Sequence, residues 1–414
     1  MPSPLLVPLE TGPDVMEGQL PPKPVRSGVP LPAWAWAVAV AFLLLYAALA
    51  WQSRTAGVTH SNDDALYMLL GRELGHFSYR ESFRVGAPMH GQYPPAWPAL
   101  IALANLVSGG RESAAFALAM VLSTLGLLAF FDAARRLLPV WLSLGLLAAV
   151  AVNPYLISYG GRVMSEAAYW FWTSITLWAM VRSREDRRFL LLAGIAAIVS
   201  AFTRSIGVTM IGAVGISFAL DREWRVLAFY AAAAALLLGG WGVFTAVNHE
   251  KVVGRSYVAD AAAQLDAAES RDSVAGSFPT RVALRIREQV MGTIPAVMPF
   301  IRVNGTYIDN VTWLVVTVGL GLMGLFALRR SLPALGLYLL FYEGLIAVWP
   351  WGPRRFFIPI QPFVLLLLVL GADTVLRKKL PRLAVTTNLI LLGSVLVAAV
   401  PLTVNNLGEL ITCD

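Results

Sequence analysis

Long uncharged apolar runs recur along the chain, and the polar and charged residues between them are gathered into short connections. The runs at 33–51, 311–328 and 383–404 each approach the roughly 20 residues that cross a bilayer as helix. They are apolar on every face and rich in Leu and Ala, whereas a membrane β-strand would alternate over about ten residues. The pattern predicts an all-α, polytopic membrane protein. Further spans are predicted over 114–131, 140–157, 166–181, 189–203, 206–220 and 226–247. Arg204 divides the stretch 189–220, which reads either as two short helices or as one bent hairpin. Residues 94–107 are apolar but short and open on Pro94 and Pro95. They are expected to lie in the interface or re-enter rather than span.

Composition and charge narrow this picture. The chain is 57% hydrophobic and 14% charged, too apolar for a water-soluble globule. Its formal net charge of +7 does not point to nucleic acid, because Lys and Arg cluster at the ends of apolar runs, where they orient helices. Residues 1–32 are Pro-rich, carry Lys23 and Arg26, and hold no apolar core of signal-peptide length. They are expected to be a disordered cytoplasmic tail ahead of an uncleaved first helix, with 33–414 as the transmembrane domain. The segment 52–112 then forms a first outward loop and 248–310 a long one. The basic connections at Arg135 and Arg136, Arg182 to Arg188, Arg222 and Arg225, Arg329 and Arg330, and Arg377 to Arg382 all fall on the cytoplasmic side. That agreement implies about eleven spans. The single cysteine, Cys413, excludes an intramolecular disulfide and a cysteine metal cluster.

Candidate chemistry concentrates beyond the first helix, in Ser61-Asn62-Asp63-Asp64-Ala65-Leu66-Tyr67. Taken locally, Asn62 or Asp63 is an N-cap and Asp64 a carboxylate favoured by the helix dipole. Tyr93-Pro94-Pro95 follows, then Arg162-Val163-Met164-Ser165-Glu166, Thr203-Arg204-Ser205-Ile206-Gly207, and Arg354-Arg355-Phe356 with Pro359 and Pro362. In this order the five segments resemble the GT-C glycosyltransferases, in the branch of protein O-mannosyltransferases and the lipid A aminoarabinose transferase. Gln92 precedes Tyr93-Pro94-Pro95 where some relatives place a Lys near the donor phosphate.

The resemblance implies a fold with outward-facing juxtamembrane helices in the first loop. It also implies inverting transfer of a sugar from a polyprenyl-phosphate donor to the hydroxyl of a lipid, glycan or protein acceptor. The reaction would occur at the outer, periplasmic face of an inner membrane. Asp63 matches the catalytic acidic residue and would be the general base. Asp64, Tyr67 and Glu166 would support it or the acceptor, Asp64 alternatively capping its helix. Arg354, Arg355, Arg162 and Arg204 would contact the donor phosphate, or else snorkel and pair at helix ends. His60, His76 and His90 share the acidic loop, so a divalent metal is conceivable by residue type, and the metal is left unassigned. Glu343 lies in an apolar run and needs a partner or a water-lined cavity. The rival readings are a secondary transporter or lipid flippase and a non-enzymatic assembly subunit.

Overall fold

The computed structural model describes residues 30–54, 62–248, 280, 282–284, 286, 307–348 and 354–379. The tail before residue 30, most of the long loop at 248–310, the apolar run 383–404, His60 and Cys413 lie outside the described residues.

Every long apolar run within that range is helical. Helix α1 is Ala33–Gln52, and the first outer loop holds α2, Asn62–Leu74, and α3, Ala96–Ser108. Next come α4, Glu112–Leu137, then α5, Val140–Ala151, and α6, Pro154–Gly160. Helices α7, Ser165–Arg182, and α8, Arg188–Thr203, precede a 3-10 turn at Ser205–Gly207. Helices α9, Val208–Leu220, and α10, Trp224–Val247, lead to the long loop. Beyond it stand α11, Tyr307–Leu328, α12, Pro333–Ala347, the single turn α13, Arg354–Phe357, and α14, Gln361–Lys379. Among the described residues four helices are long and apolar enough to cross a membrane, five if α5 and α6 are one bent span, and several shorter apolar helices accompany them.

Two expectations are refined. The run 140–157 is not one straight helix, because α5 and α6 meet at 63°. Pro154 has no amide hydrogen to continue α5, and the Asn153 side chain instead caps α6 by accepting from the Tyr155 and Leu156 amides at 3.0 and 3.2 Å. The stretch 189–220 forms two helices folded back on each other, α8 against α9, with extended Arg204 at the tip. Helix α3, 13 residues long, reaches only about 20 Å, too short to span, and it packs on α2.

The break at Asn153 gives α1 something to hold. Tyr46 Oη donates to the Leu156 carbonyl at 2.9 Å and Ser53 Oγ to the Ile157 carbonyl at 3.1 Å. A second close contact joins α11 to α14. A Cβ on Gly324 would stand 2.2 Å from the Leu367 carbonyl oxygen, and one on Gly371 2.0 Å from that of Leu320. Only glycine lets these two backbones meet.

The connections after α4, α7 and α9 meet at one end of the bundle. Arg136 pairs with Glu185 there, and Arg184 with Asp221 at 2.9 Å. Asp132 accepts from Arg136 at 3.0 Å and from Trp178 Nε1 at 2.7 Å. The outer loop, the starts of α7 and α13, and the α8–α9 tip share the opposite end.

Candidate active site

A separate small core seats the outer loop on the bundle. Tyr67 and Leu70 of α2, Trp97 and Ile101 of α3, and Phe116 of α4 are buried together with Val163. Burying such side chains contributes ~1.5–3 kcal/mol each. Gly71 permits the close α2–α3 contact, since a Cβ there would meet Ile101 Cγ2 at 2.6 Å. Trp97 Nε1 donates to the Val163 carbonyl at 3.3 Å, and Tyr67 Oη to Ser165 Oγ at 3.0 Å. Burial pushes the Tyr67 phenol up to about 12, so it remains a neutral donor at physiological pH.

This seat brings Asp63, Glu166, Arg204 and Arg355 together from four distant parts of the sequence. Arg355 Nη1 contacts Asp63 Oδ2 at 2.5 Å, while its Nε contacts Glu166 Oε1 and its Nη2 reaches Glu166 Oε2 at 3.4 Å. Arg204 Nη1 stands 2.8 Å from Glu166 Oε1 and donates to Ser165 Oγ at 2.9 Å. Glu166 is 2% exposed, against 26% for Asp63 and 30% for Arg355. A carboxylate so deeply buried needs partners, and Glu166 has two guanidiniums plus its place in the first turn of α7. Asp63 is the acid that solvent and a substrate can reach.

Position and role divide the other residues. Asp64 is buried on the inner side of α2. Arg162 is half-buried, lies 5.3 Å over the Tyr159 ring, and makes no ion pair among the described residues. Its Nε is buried and has no hydrogen-bond partner among the described residues. Tyr159 itself is within electrostatic range of Glu166, Arg355, Arg162 and Arg204, which places Arg162 at the margin of the same constellation. The Arg354 side chain lies outside the described residues. Glu343 is half-buried on α12 and has no ion pair among the described residues.

Tyr93 belongs to the site, although its sequence position marked it only as part of a motif. Its Oη donates to Asp63 Oδ1 at 2.7 Å, so the two oxygens of Asp63 have different partners. Its ring packs against Tyr67 with centroids 4.8 Å apart and planes tilted by 31°. The local signal was the Pro-Pro pair after it, which fixes the backbone. The aromatic partner two elements away carried no sequence trace.

Among the described residues no group of three His, Cys, Asp or Glu could hold a metal ion. Asp63 and Glu166 are bridged by Arg355, and His90 spends both ring nitrogens within the protein. Among the described residues, these side chains are already committed to protein partners.

No family model matches the chain, and no curated protein sequence does. Solved structures do. ArnT from Cupriavidus metallidurans bound to undecaprenyl phosphate is similar with a TM-score of 0.50 at 15% identity, over 92% of this chain and 78% of that one. The Archaeoglobus fulgidus oligosaccharyltransferase tethered with an acceptor peptide is similar with a TM-score of 0.52 at 15% identity. That match takes in 90% of this chain and 55% of the archaeal one, so the chain spans about half the archaeal enzyme's length. The chain shares the membrane-protein fold of these two structures.

Proposed function

We propose that this GT-C-fold chain is a membrane glycosyltransferase that moves a sugar from a polyprenyl-phosphate donor to an acceptor hydroxyl. The observation that carries the reading is Asp63: a partly exposed carboxylate in the outer loop, held by Arg355 on one oxygen and Tyr93 on the other. Such a group is oriented as a base while its remaining lone pairs stay open to an incoming hydroxyl. The undecaprenyl phosphate bound by the similar ArnT supports the donor class. The acceptor is a lipid, glycan or protein hydroxyl.

Asp63 takes the proton of the acceptor hydroxyl as that oxygen bonds to the anomeric carbon. The bond from that carbon to the phosphate oxygen breaks, and its electron pair leaves with polyprenyl phosphate. A single displacement of this kind inverts the anomeric centre. The leaving phosphate gains negative charge and is stabilised by fixed cations. Arg355 and Arg204 are already engaged by carboxylates, so among the described arginines of the site Arg162 is the one best able to take the phosphate. Asp64 and Tyr67 support the α2 wall. In this reading the site faces the periplasmic side of an inner membrane, which the basic connections at the opposite end support.

The test is sugar transfer by purified protein in nanodiscs, offered a panel of radiolabelled polyprenyl-phosphate sugars. Wild type transfers sugar or slowly hydrolyses one donor, and a folded Asp63→Asn variant loses at least about 100-fold of that rate. No turnover and no donor binding across the panel would overturn the reading. It would favour transport, for which Glu343, a carboxyl group in a membrane helix without an ion pair among the described residues, is the residue to change next.

A further inference from the structure

We infer that Glu81, His90 and Tyr93 form a relay of positioning residues that fixes the Asp63 carboxylate. The inference deepens the glycosyltransferase reading and rests on Asp63 as its base.

The outer loop between α2 and α3 contains a buried ionisable pair that touches no substrate-facing group. Glu81 is 3% exposed and His90 1%, and His90 Nδ1 lies 2.8 Å from Glu81 Oε1. Its other nitrogen, Nε2, accepts the Tyr93 amide hydrogen at 2.9 Å. A backbone amide can only donate and a carboxylate can only accept. The ring is therefore neutral with its proton on Nδ1, a single tautomer set from both sides. Arg84 Nε closes the outer end by contacting Glu81 Oε2 at 2.5 Å.

Tyr93 is held at every polar group. Its amide is taken by His90, its carbonyl accepts from Tyr79 Oη at 2.8 Å, and its own hydroxyl reaches Asp63. Pro94 and Pro95 restrict the chain that follows. His90 and Tyr79 are paired in turn, the His90 amide donating to the Tyr79 carbonyl at 2.8 Å beside the Arg80–Met89 bridge. Burying a Glu–His pair costs free energy unless both groups are well partnered. Aliphatic side chains would fold the loop at least as well, but they could not grip one particular amide. The pair ends on the residue whose hydroxyl meets the base. Preorganisation of the base is what such a brace supplies.

The measurement is steady-state transfer with kcat and donor KM resolved, for wild type, Asp63→Asn, Tyr93→Phe, His90→Ala, His90→Gln and the His90→Ala/Tyr93→Phe pair. Tyr93→Phe keeps the ring and its packing, so it folds, and it lowers kcat roughly 10-fold or more with donor KM within about twofold. His90→Ala lowers kcat similarly, and His90→Gln, which retains an acceptor for the Tyr93 amide, recovers part of the loss. In the Tyr93→Phe background, His90→Ala adds less than about twofold, because both act along one path. A purely structural pair would instead give losses that multiply, with Gln no better than Ala, and that result overturns the relay. Wild-type kcat in Tyr93→Phe with an inactive Asp63→Asn overturns the relay alone. An active Asp63→Asn overturns the base assignment itself.

Discussion

Arg162 and Arg355 are cations of the same face with different commitments. Arg355 is spent on Asp63 and Glu166, whereas Arg162 keeps a buried Nε without a partner among the described residues. Removing Arg162 therefore costs donor binding: Arg162→Ala is expected to raise donor KM roughly 10-fold, the value of one charge-assisted hydrogen bond, with kcat changed less. Kinetics over a donor concentration series check this. His90 supplies a second residue-scale expectation. Burial holds its imidazole below the ordinary value, against the opposing pull of the Glu81 hydrogen bond and charge, while Arg84 lowers it further. The groups facing it are Glu81, Arg84, Tyr79 and Tyr93. A base with a lowered folded pKa binds its proton later than the unfolded chain does. Its contribution is whole above about 6.5, the unfolded value, and is lost as pH falls through the lowered folded value. The thermal midpoint of wild type should thus fall between neutral pH and mild acid more steeply than that of His90→Gln.

At the scale of elements, most of the fold was legible because membrane helices advertise themselves. Apolar runs at 33–51, 114–131 and 226–247 became α1, α4 and α10, each extended at one or both ends. The bend at Asn153–Pro154 was written in a proline and a capping Asn, yet a hydropathy window averages over both. Helix α3 has the short length and the Pro-Pro start that its sequence showed. Pairing between elements left no such trace. Nothing in the sequence says that Gly324 seats against Leu367 and Gly371 against Leu320, because each looks like one more small residue in an apolar run. Gly371→Val should push α14 off α11 and cost ~1–3 kcal/mol as overpacking, seen as a lowered melting temperature in detergent. Gly239→Val on α10, where a Cβ meets nothing within 4 Å, is the matched control.

Over the whole molecule, charge sorts by end. The acidic and arginine residues of the site share one end with the outer loop, and the Arg136–Glu185 and Arg184–Asp221 pairs clamp the other. In a Cys413→Ser background, Ser82→Cys should react with an impermeant maleimide from outside intact cells. Arg188→Cys should react only after the membrane is opened. The positive connections made this end-to-end polarity legible, and the ordered motifs pointed to Asp63, Glu166, Arg204 and Arg355. Their mutual bonding was not legible, since up to 292 residues separate the partners. The Glu81–His90 pair was hidden too, because a buried Glu and His nine residues apart read as ordinary loop polarity. The glycine contact between α11 and α14 has one more effect. Arg355 rides on the helical segment Arg355–Leu376, and each carbonyl seated on a glycine acts as a detent against sliding. The guanidinium is thereby indexed in height to the far helix, so that a shift of one helical turn, about 5.4 Å, would carry it clear of both carboxylates.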